Sequence, residues 1–151
     1  MSFSSSRAMV ISIRPEFAFA ILEGCKQVEL RRTRPLTSSG DLMLLYATAP
    51  TSAIVGWARI EEVLEREVEI LKEEVLSASS VEERAFDEYF QGVSVGYGIK
   101  LTRVGRFSVP VHLDVLRQFD DWRPAQTWRY IDCGKLPAFL GSGEIAGEIP
   151  S

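Results

Sequence analysis

Histidine and cysteine are nearly missing from this chain. Its 151 residues hold one histidine, His112, and two cysteines, Cys25 and Cys133. Three such side chains cannot complete the four-ligand shell of a structural zinc ion, so neither a metal centre nor a cofactor is expected. Two distant cysteines also fall short of the disulfide framework of a small exported domain, and both are expected to stay reduced. No apolar run approaches the ~18 residues that a membrane span needs. The opening MSFSSSRAMVISIRP has no apolar stretch of the kind that directs secretion. A cytoplasmic location, with no membrane partner, is the expectation. A glycine-rich phosphate loop, an internal repeat and a linker are lacking too, which leaves one domain over 1–151 with a core at about 8–132.

What is present is ordinary for a globule in bulk and uneven in detail. A hydrophobic fraction of 46% argues against a disordered chain. The formal net charge of −4 is an average over two unlike parts. Residues 61–90 carry eleven acids against Arg66, Lys72 and Arg84, a net of −8, whereas the rest of the chain nets +4. Fields act over a Debye length of ~8–10 Å, so an acidic total does not exclude a polyanionic partner. The acidic stretch is expected to form solvated helix faces turned away from any phosphate site.

Hydrophobic spacing divides the chain into strands and helices. Period-two patterns predict strands over 8–14, 27–33, 42–48 and 53–63, and a long one from 93 to about 111. Pro15 suits the first position of a helix that Gly24 ends. Leu64, Val68, Leu71 and Val75 repeat at helical spacing. Ser80 and Glu83 have the spacing of a capping box for a further helix, with Ala85, Phe86, Tyr89 and Phe90 inward. A helical turn over 114–119 and a short aromatic segment over 126–130 follow, and both ends, 1–7 and 141–151, read as loose. Regular βαβ alternation is lacking. The expected fold is therefore α+β, a small curved β-barrel of mixed strands with flanking helices, its long strand bent at Gly96, Gly98 and Gly105.

One stretch concentrates chemistry: Gly24-Cys25-Lys26-Gln27-Val28-Glu29-Leu30-Arg31-Arg32. Gly24 closes a helix, Lys26 sits in the bend, and Glu29 and Arg31 project from one face of a strand. A lysine, a carboxylate and a guanidinium thus come within reach of one another. Arg31 is a fork for a phosphate or carbonyl oxygen, Lys26 a cation or base, and Glu29 their orienter. The competing reading is a salt bridge between same-face neighbours, worth about 0–1 kcal/mol. Cys25, at a helix C-terminus that disfavours the thiolate, is not a candidate nucleophile. His112 has no evident partner.

The pattern G-x-K-x-x-E-x-R, carried by Gly24, Lys26, Glu29 and Arg31 after the SIRPEFAFAIL strand–helix entry, resembles the ASCH domain of the PUA-like superfamily. Leu44–Pro50, Ile54-Val55-Gly56, Phe86–Phe90, Gly96–Ile99 and Trp128-Arg129-Tyr130 are similar to it as well, so the resemblance covers residues 9–131. It implies a β-barrel with flanking helices, a cleft beside the motif and a nucleic-acid ligand, RNA above all. It also implies possible hydrolysis, since one group in the family deacetylates acetylated cytidine and another has ribonuclease activity. The amidohydrolase group carries threonine where this chain has Glu29, so a threonine nucleophile does not transfer.

Two readings follow. In the first, the chain binds RNA or a modified nucleotide. Lys26 and Arg31 hold phosphate or a base edge, Arg14, Tyr46 and Thr48 line the cleft, and Trp128 or Tyr46 stacks on a base. In the second, it is a small hydrolase of RNA or nucleosides. There Lys26 is the general base, its pKa lowered by burial and by Arg31 or Arg14, Glu29 shuttles protons and Arg31 stabilises the oxyanion. A third possibility is a protein-interaction domain that uses the acidic 61–90 helices. Trp57 and Tyr97 are further stacking candidates, though aromatic residues in such a domain more often fill the core.

Overall fold

The computed structural model describes residues 7–119, 122–125 and 127–151. Residues 1–6 of the expected loose start and Gln126 of the aromatic segment lie outside the described residues. Six strands are seen: β1 (Arg7–Ile13), β2 (Val28–Arg31), β3 (Leu42–Ala47), β4 (Ala53–Glu67), β5 (Val95–His112) and β6 (Trp128–Asp132). They form one mixed sheet in the order β2-β5-β4-β3-β1-β6. Only β1 and β3 run parallel, and α1 (Pro15–Leu22) with β2 makes the crossover between them. The other helices are α2 (Val68–Val75), α3 (Glu83–Tyr89), α4 (Leu113–Leu116), α5 (Leu136–Phe139) and α6 (Gly143–Gly147).

The α+β class and the mixed curved sheet agree with expectation, but the sheet does not close into a barrel. β2, only four residues long, and β6 are the two edge strands, and no ladder joins them across the gap. Side chains span it instead. Arg31 of β2 donates from Nη2 to the carbonyl of Ser12 in β1 at 2.9 Å. The backbone N–H of Leu36, in the segment after β2, donates to the Tyr130 hydroxyl of β6 at 2.8 Å. A strand at one end of the ladder can reach the other end only in a strongly curled sheet. Register shifts in the β4–β5 ladder between Ile54 and Gly56 and between Arg59 and Glu62 supply bending points. Gly105 lies under the Trp57 ring, where an added Cβ would stand 2.5 Å from it.

Alternation along the strands sorts side chains into separate cores. Met9, Ile11, Ile13, Met43, Leu45 and Ile99 pack on the inner face with Ala18 and Ile21 of α1. Ala8, Val10, Leu42, Leu44 and Tyr46 turn to the opposite face, under α4 and the C-terminal helices. Val28, Leu30 and Leu64 pack against Leu71 and Val75 of α2 and Phe86 of α3. Each fully buried aliphatic side chain contributes about 1.5–3 kcal/mol.

Several local expectations change. β4 runs on to Glu67, so Leu64 is a strand residue and the helical repeat starts at Val68. The capping box does not form: Ser80 adopts φ 55 and spends its hydroxyl on the Cys25 carbonyl, and α3 starts after Glu82 with no side-chain cap. Phe86 and Phe90 are buried, while Ala85 and Tyr89 are exposed. The C-terminal stretch is packed rather than loose. Ile145 and Ile149 join a core, and the Glu148 carboxylate accepts from both the N–H and the hydroxyl of Ser108 at 2.8 and 2.6 Å. Those two bonds hold the Glu148 pKa below the usual range.

Candidate functional site

Chain geometry brings the motif together. α1 ends at Leu22, and Gly24, at φ 83, turns the backbone so that the N–H groups of Cys25 and Lys26 both reach the Ala20 carbonyl. Glycine adopts that left-handed conformation at no steric cost. The turn sends the Lys26 side chain inward, where it is 2% exposed. Its Nζ donates to the Ser79 carbonyl at 2.5 Å, lies 3.4 Å from Glu29 Oε1 and sits 4.9 Å from the centre of the Phe17 ring. Two residues apart on β2, Glu29 and Arg31 share a face. Glu29 Oε2 accepts from Arg31 Nε at 3.1 Å and from Nη2 at 2.8 Å.

Glu29 therefore stands between two cations, and the triad carries one net positive charge out of bulk water. Burial is the main reason that the Lys26 pKa lies below its usual 10.5. Attraction and hydrogen bonding to Glu29 oppose that shift, and repulsion from Arg31 adds to it. Such a lysine is closer to the neutral amine than a surface lysine is. Among the described residues, Arg31 Nη1 has no protein hydrogen-bond partner, because Nε and Nη2 make all the bonds of this guanidinium. The site thus presents an unspent charged donor.

These groups line a cleft of about 480 Å³. Ser12 and Arg14 from the end of β1 and Phe17 from α1 form one side, and Glu88 and Tyr89 of α3 form the other. The Tyr89 hydroxyl donates to the Leu30 carbonyl at 3.3 Å. The residue is 40% exposed overall, and the covering of its hydroxyl end is the main reason that its pKa is raised. The volume lies within the ~300–1,000 Å³ typical of small-molecule sites. No group of three histidine, cysteine or carboxylate side chains placed to hold a metal ion occurs among the described residues.

Of the residues expected here, Lys26, Glu29, Arg31 and Arg14 share the cleft. Trp128 opens β6 beside it, its ring centre 6.0 Å from the Arg31 guanidinium carbon. Tyr46 does not line the cleft. Strand parity turns it to the opposite core, edge-on to Trp122 at 5.7 Å, and burial raises its pKa. Thr48 is also outside the lining, its N–H spent on the Ile13 carbonyl. Trp57 is a core residue, and His112 caps α4 by accepting from the Asp114 N–H. The acidic helices are not wholly turned away, since α3 forms a wall and Glu88 stands on it. Sequence reasoning misses Phe17, Tyr89 and Glu88 as site residues. An aromatic residue on the helix that leads into the motif, and another beside a buried phenylalanine, are a faint signal of this kind.

A family model for the ASCH domain matches residues 11–102. The chain belongs to the ASCH domain family. It is 33% identical over 122 residues to an ASCH domain-containing ribonuclease of Zymomonas mobilis subsp. mobilis, covering 79% of this chain and 82% of that protein. The crystal structure of ASCH from Zymomonas mobilis superposes with a TM-score of 0.83 at 27% identity, over 89% of this chain and 94% of that one. The N-terminal domain of Staphylothermus marinus McrB shares the fold at a TM-score of 0.56 and 12% identity, over 92% and 95% of the two chains. The motif of this ASCH domain lies inside the matched span, and the β6 edge and the C-terminal helices lie beyond it.

Proposed function

We propose that this ASCH domain binds RNA, or a modified nucleotide, by taking one base into the cleft beside Lys26, Glu29 and Arg31. The observation that carries this reading is the unspent Nη1 donor of the otherwise saturated Arg31, in a cleft walled by Phe17 and Tyr89. A buried guanidinium favours an oxygen acceptor, and aromatic walls accept the face of any base. Glu88 on the wall disfavours a phosphate inside the cleft, so the acceptor is a base carbonyl and the backbone stays outside. The ASCH family membership and the relative named as a ribonuclease support an RNA ligand.

Cleavage is a second reading, favoured by the lowered pKa of Lys26. As a neutral amine, Lys26 would take the proton from an attacking hydroxyl or water as that oxygen bonds to the scissile centre, Glu29 would pass it to the leaving group as its bond breaks, and Arg31 would stabilise the charge that develops on oxygen. One pair of variants separates the two. Lys26→Met removes both charge and base, and Lys26→Arg keeps the charge without a usable base. Binding alone predicts affinity for a short single-stranded RNA lost in the first and largely kept in the second. Cleavage predicts turnover down by ~10²-fold or more in both. Unchanged affinity and turnover in Lys26→Met would overturn both.

A further inference from the structure

Basic residues are treated differently at two ends of the molecule. In the acidic block and the strand beside it, Arg66, Lys72, Arg84 and Lys100 all have carboxylate partners. Along β6 none of Arg7, Arg129 and Lys135 has one among the described residues. Arg7 instead lies over the Tyr130 ring at 4.2 Å and donates to the Leu36 carbonyl at 3.2 Å, and Arg129 donates to the Arg123 carbonyl at 3.0 Å. These three cations line one groove of about 360 Å³ with Tyr130, Trp122 and, among the described residues, one acid, Asp132. β6 is also an edge of the sheet, and an edge strand offers unpaired N–H groups outward.

From this groove we infer that the β6 edge is a second nucleic-acid contact, which takes the phosphate backbone of a single-stranded RNA whose base occupies the cleft. The inference rests on the RNA reading above. The groove and the cleft are joined by one strand: Trp128, at its start, adjoins Arg31, and Tyr130 and Asp132, further on, line the groove. Four residues of strand span ~14 Å at ~3.4 Å each. The cleft disfavours phosphate through Glu88, while the groove presents three cations that have no carboxylate partner among the described residues, the kind of charge that tracks a single strand. An acidic peptide would share the charge but gain nothing from the continuity with the cleft.

The test compares a three-nucleotide and a twelve-nucleotide RNA of mixed sequence, both fluorescently labelled, in titrations against salt. The proteins are wild type, the double variant Arg129→Ala/Lys135→Ala and the cleft variant Tyr89→Ala. Thermal melts of the surface variants check the fold. The double variant should bind the twelve-mer at least tenfold more weakly and the three-mer unchanged, and its salt slope should fall by ~1.4, or ~0.7 for each phosphate no longer neutralised. Tyr89→Ala should weaken both RNAs. Twelve-mer affinity unchanged in the double variant, with Tyr89→Ala weakening both, overturns the groove and leaves the cleft reading standing. Weakening confined to the double variant supports the groove and removes the cleft reading. Failure of the wild type to bind either RNA while it binds poly-glutamate overturns the groove as a nucleic-acid site.

Discussion

Two of the cation–carboxylate triads in this ASCH domain differ mainly in water. Lys26, Glu29 and Arg31 have side chains 2%, 9% and 11% exposed. Lys72, Glu83 and Asp87 bring together a similar set, with Lys72 Nζ 2.9 Å from an oxygen of each acid, yet those carboxylates are 68% and 51% exposed. The distances are alike and the consequences opposite. In the buried triad desolvation dominates and lowers the lysine pKa; in the exposed one the partners dominate and raise it. Distance alone does not distinguish a structural ion pair from a site. The displacement of water does, along with the donor left over after the pairing is complete.

Removing the central carboxylate breaks this comparison most severely. Glu29→Ala leaves Lys26 and Arg31 as neighbouring buried cations without their shared acceptor, and it should cost ~3–5 kcal/mol of stability. Urea unfolding measures this directly. A cost below about 1 kcal/mol would place the triad with the surface pairs. Next in size is an effect on binding. Arg31→Lys keeps a charge but lacks the planar fork that holds Glu29, the Ser12 carbonyl and the free Nη1 at once. Affinity for a short single-stranded RNA should fall about tenfold or more, the ~1.5–3 kcal/mol of a charged hydrogen bond. Equal affinity in titrations of the two proteins would remove Arg31 from the proposed RNA-binding surface.

A pH series sharpens the contrast further. Because the folded Lys26 pKa lies below the usual 10.5, the unfolded chain binds more protons between those two values. The penalty for burying the charged lysine is therefore fully present below the folded pKa. It lifts as pH rises through the window and is gone above 10.5. Wild type should gain stability relative to Lys26→Met as pH climbs toward 10.5, read from paired denaturation curves. A flat difference across that range would mean that Lys26 stays fully charged, and it would weaken the cleavage reading before any activity assay.

How much of this is legible in the sequence differs between the two regions. The motif is legible because it is local. A helix stop, a bend and two same-parity strand residues fix Lys26, Glu29 and Arg31 within eight positions, and short-range geometry does the rest. The opposite wall is not. Tyr89 and Glu88 reach the cleft through the packing of Phe86 and Phe90 under α3, and helical spacing alone puts Tyr89 with them in the core. Tyr46 fails in the same way, since alternation gives two faces but not which one meets the site. Curvature and glycines point to barrel closure, while whether the short β2 pairs with the far edge strand β6 is a long-range fact, and no such ladder forms. The spacing of Ser80 and Glu83 suits a capping box, but tertiary contact with Cys25 takes the serine hydroxyl.

The smallest expected effect belongs to the exposed triad. Asp87 and Glu83 raise the Lys72 pKa above 10.5 through hydrogen bonds and attraction. That linkage contributes stability fully present below 10.5 and lost only as pH rises through the higher folded value. Near neutral pH, Lys72→Met removes pairs that water and salt already screen. Its unfolding midpoint should therefore move far less than that of Glu29→Ala, and about 1 M salt should narrow the gap to wild type. The pairs do join α2 to α3, and α3 carries the Tyr89 wall. If they hold that wall in place, Lys72→Met weakens RNA binding as Tyr89→Ala does. The burial of Phe86 and Phe90 against Leu71 and Val75 makes the packing, not the ions, the anchor of α3. RNA affinity should therefore be the same in Lys72→Met and wild type. A drop matching that of Tyr89→Ala would show that the exposed triad is part of the site, and that screening by water is not what separates the two.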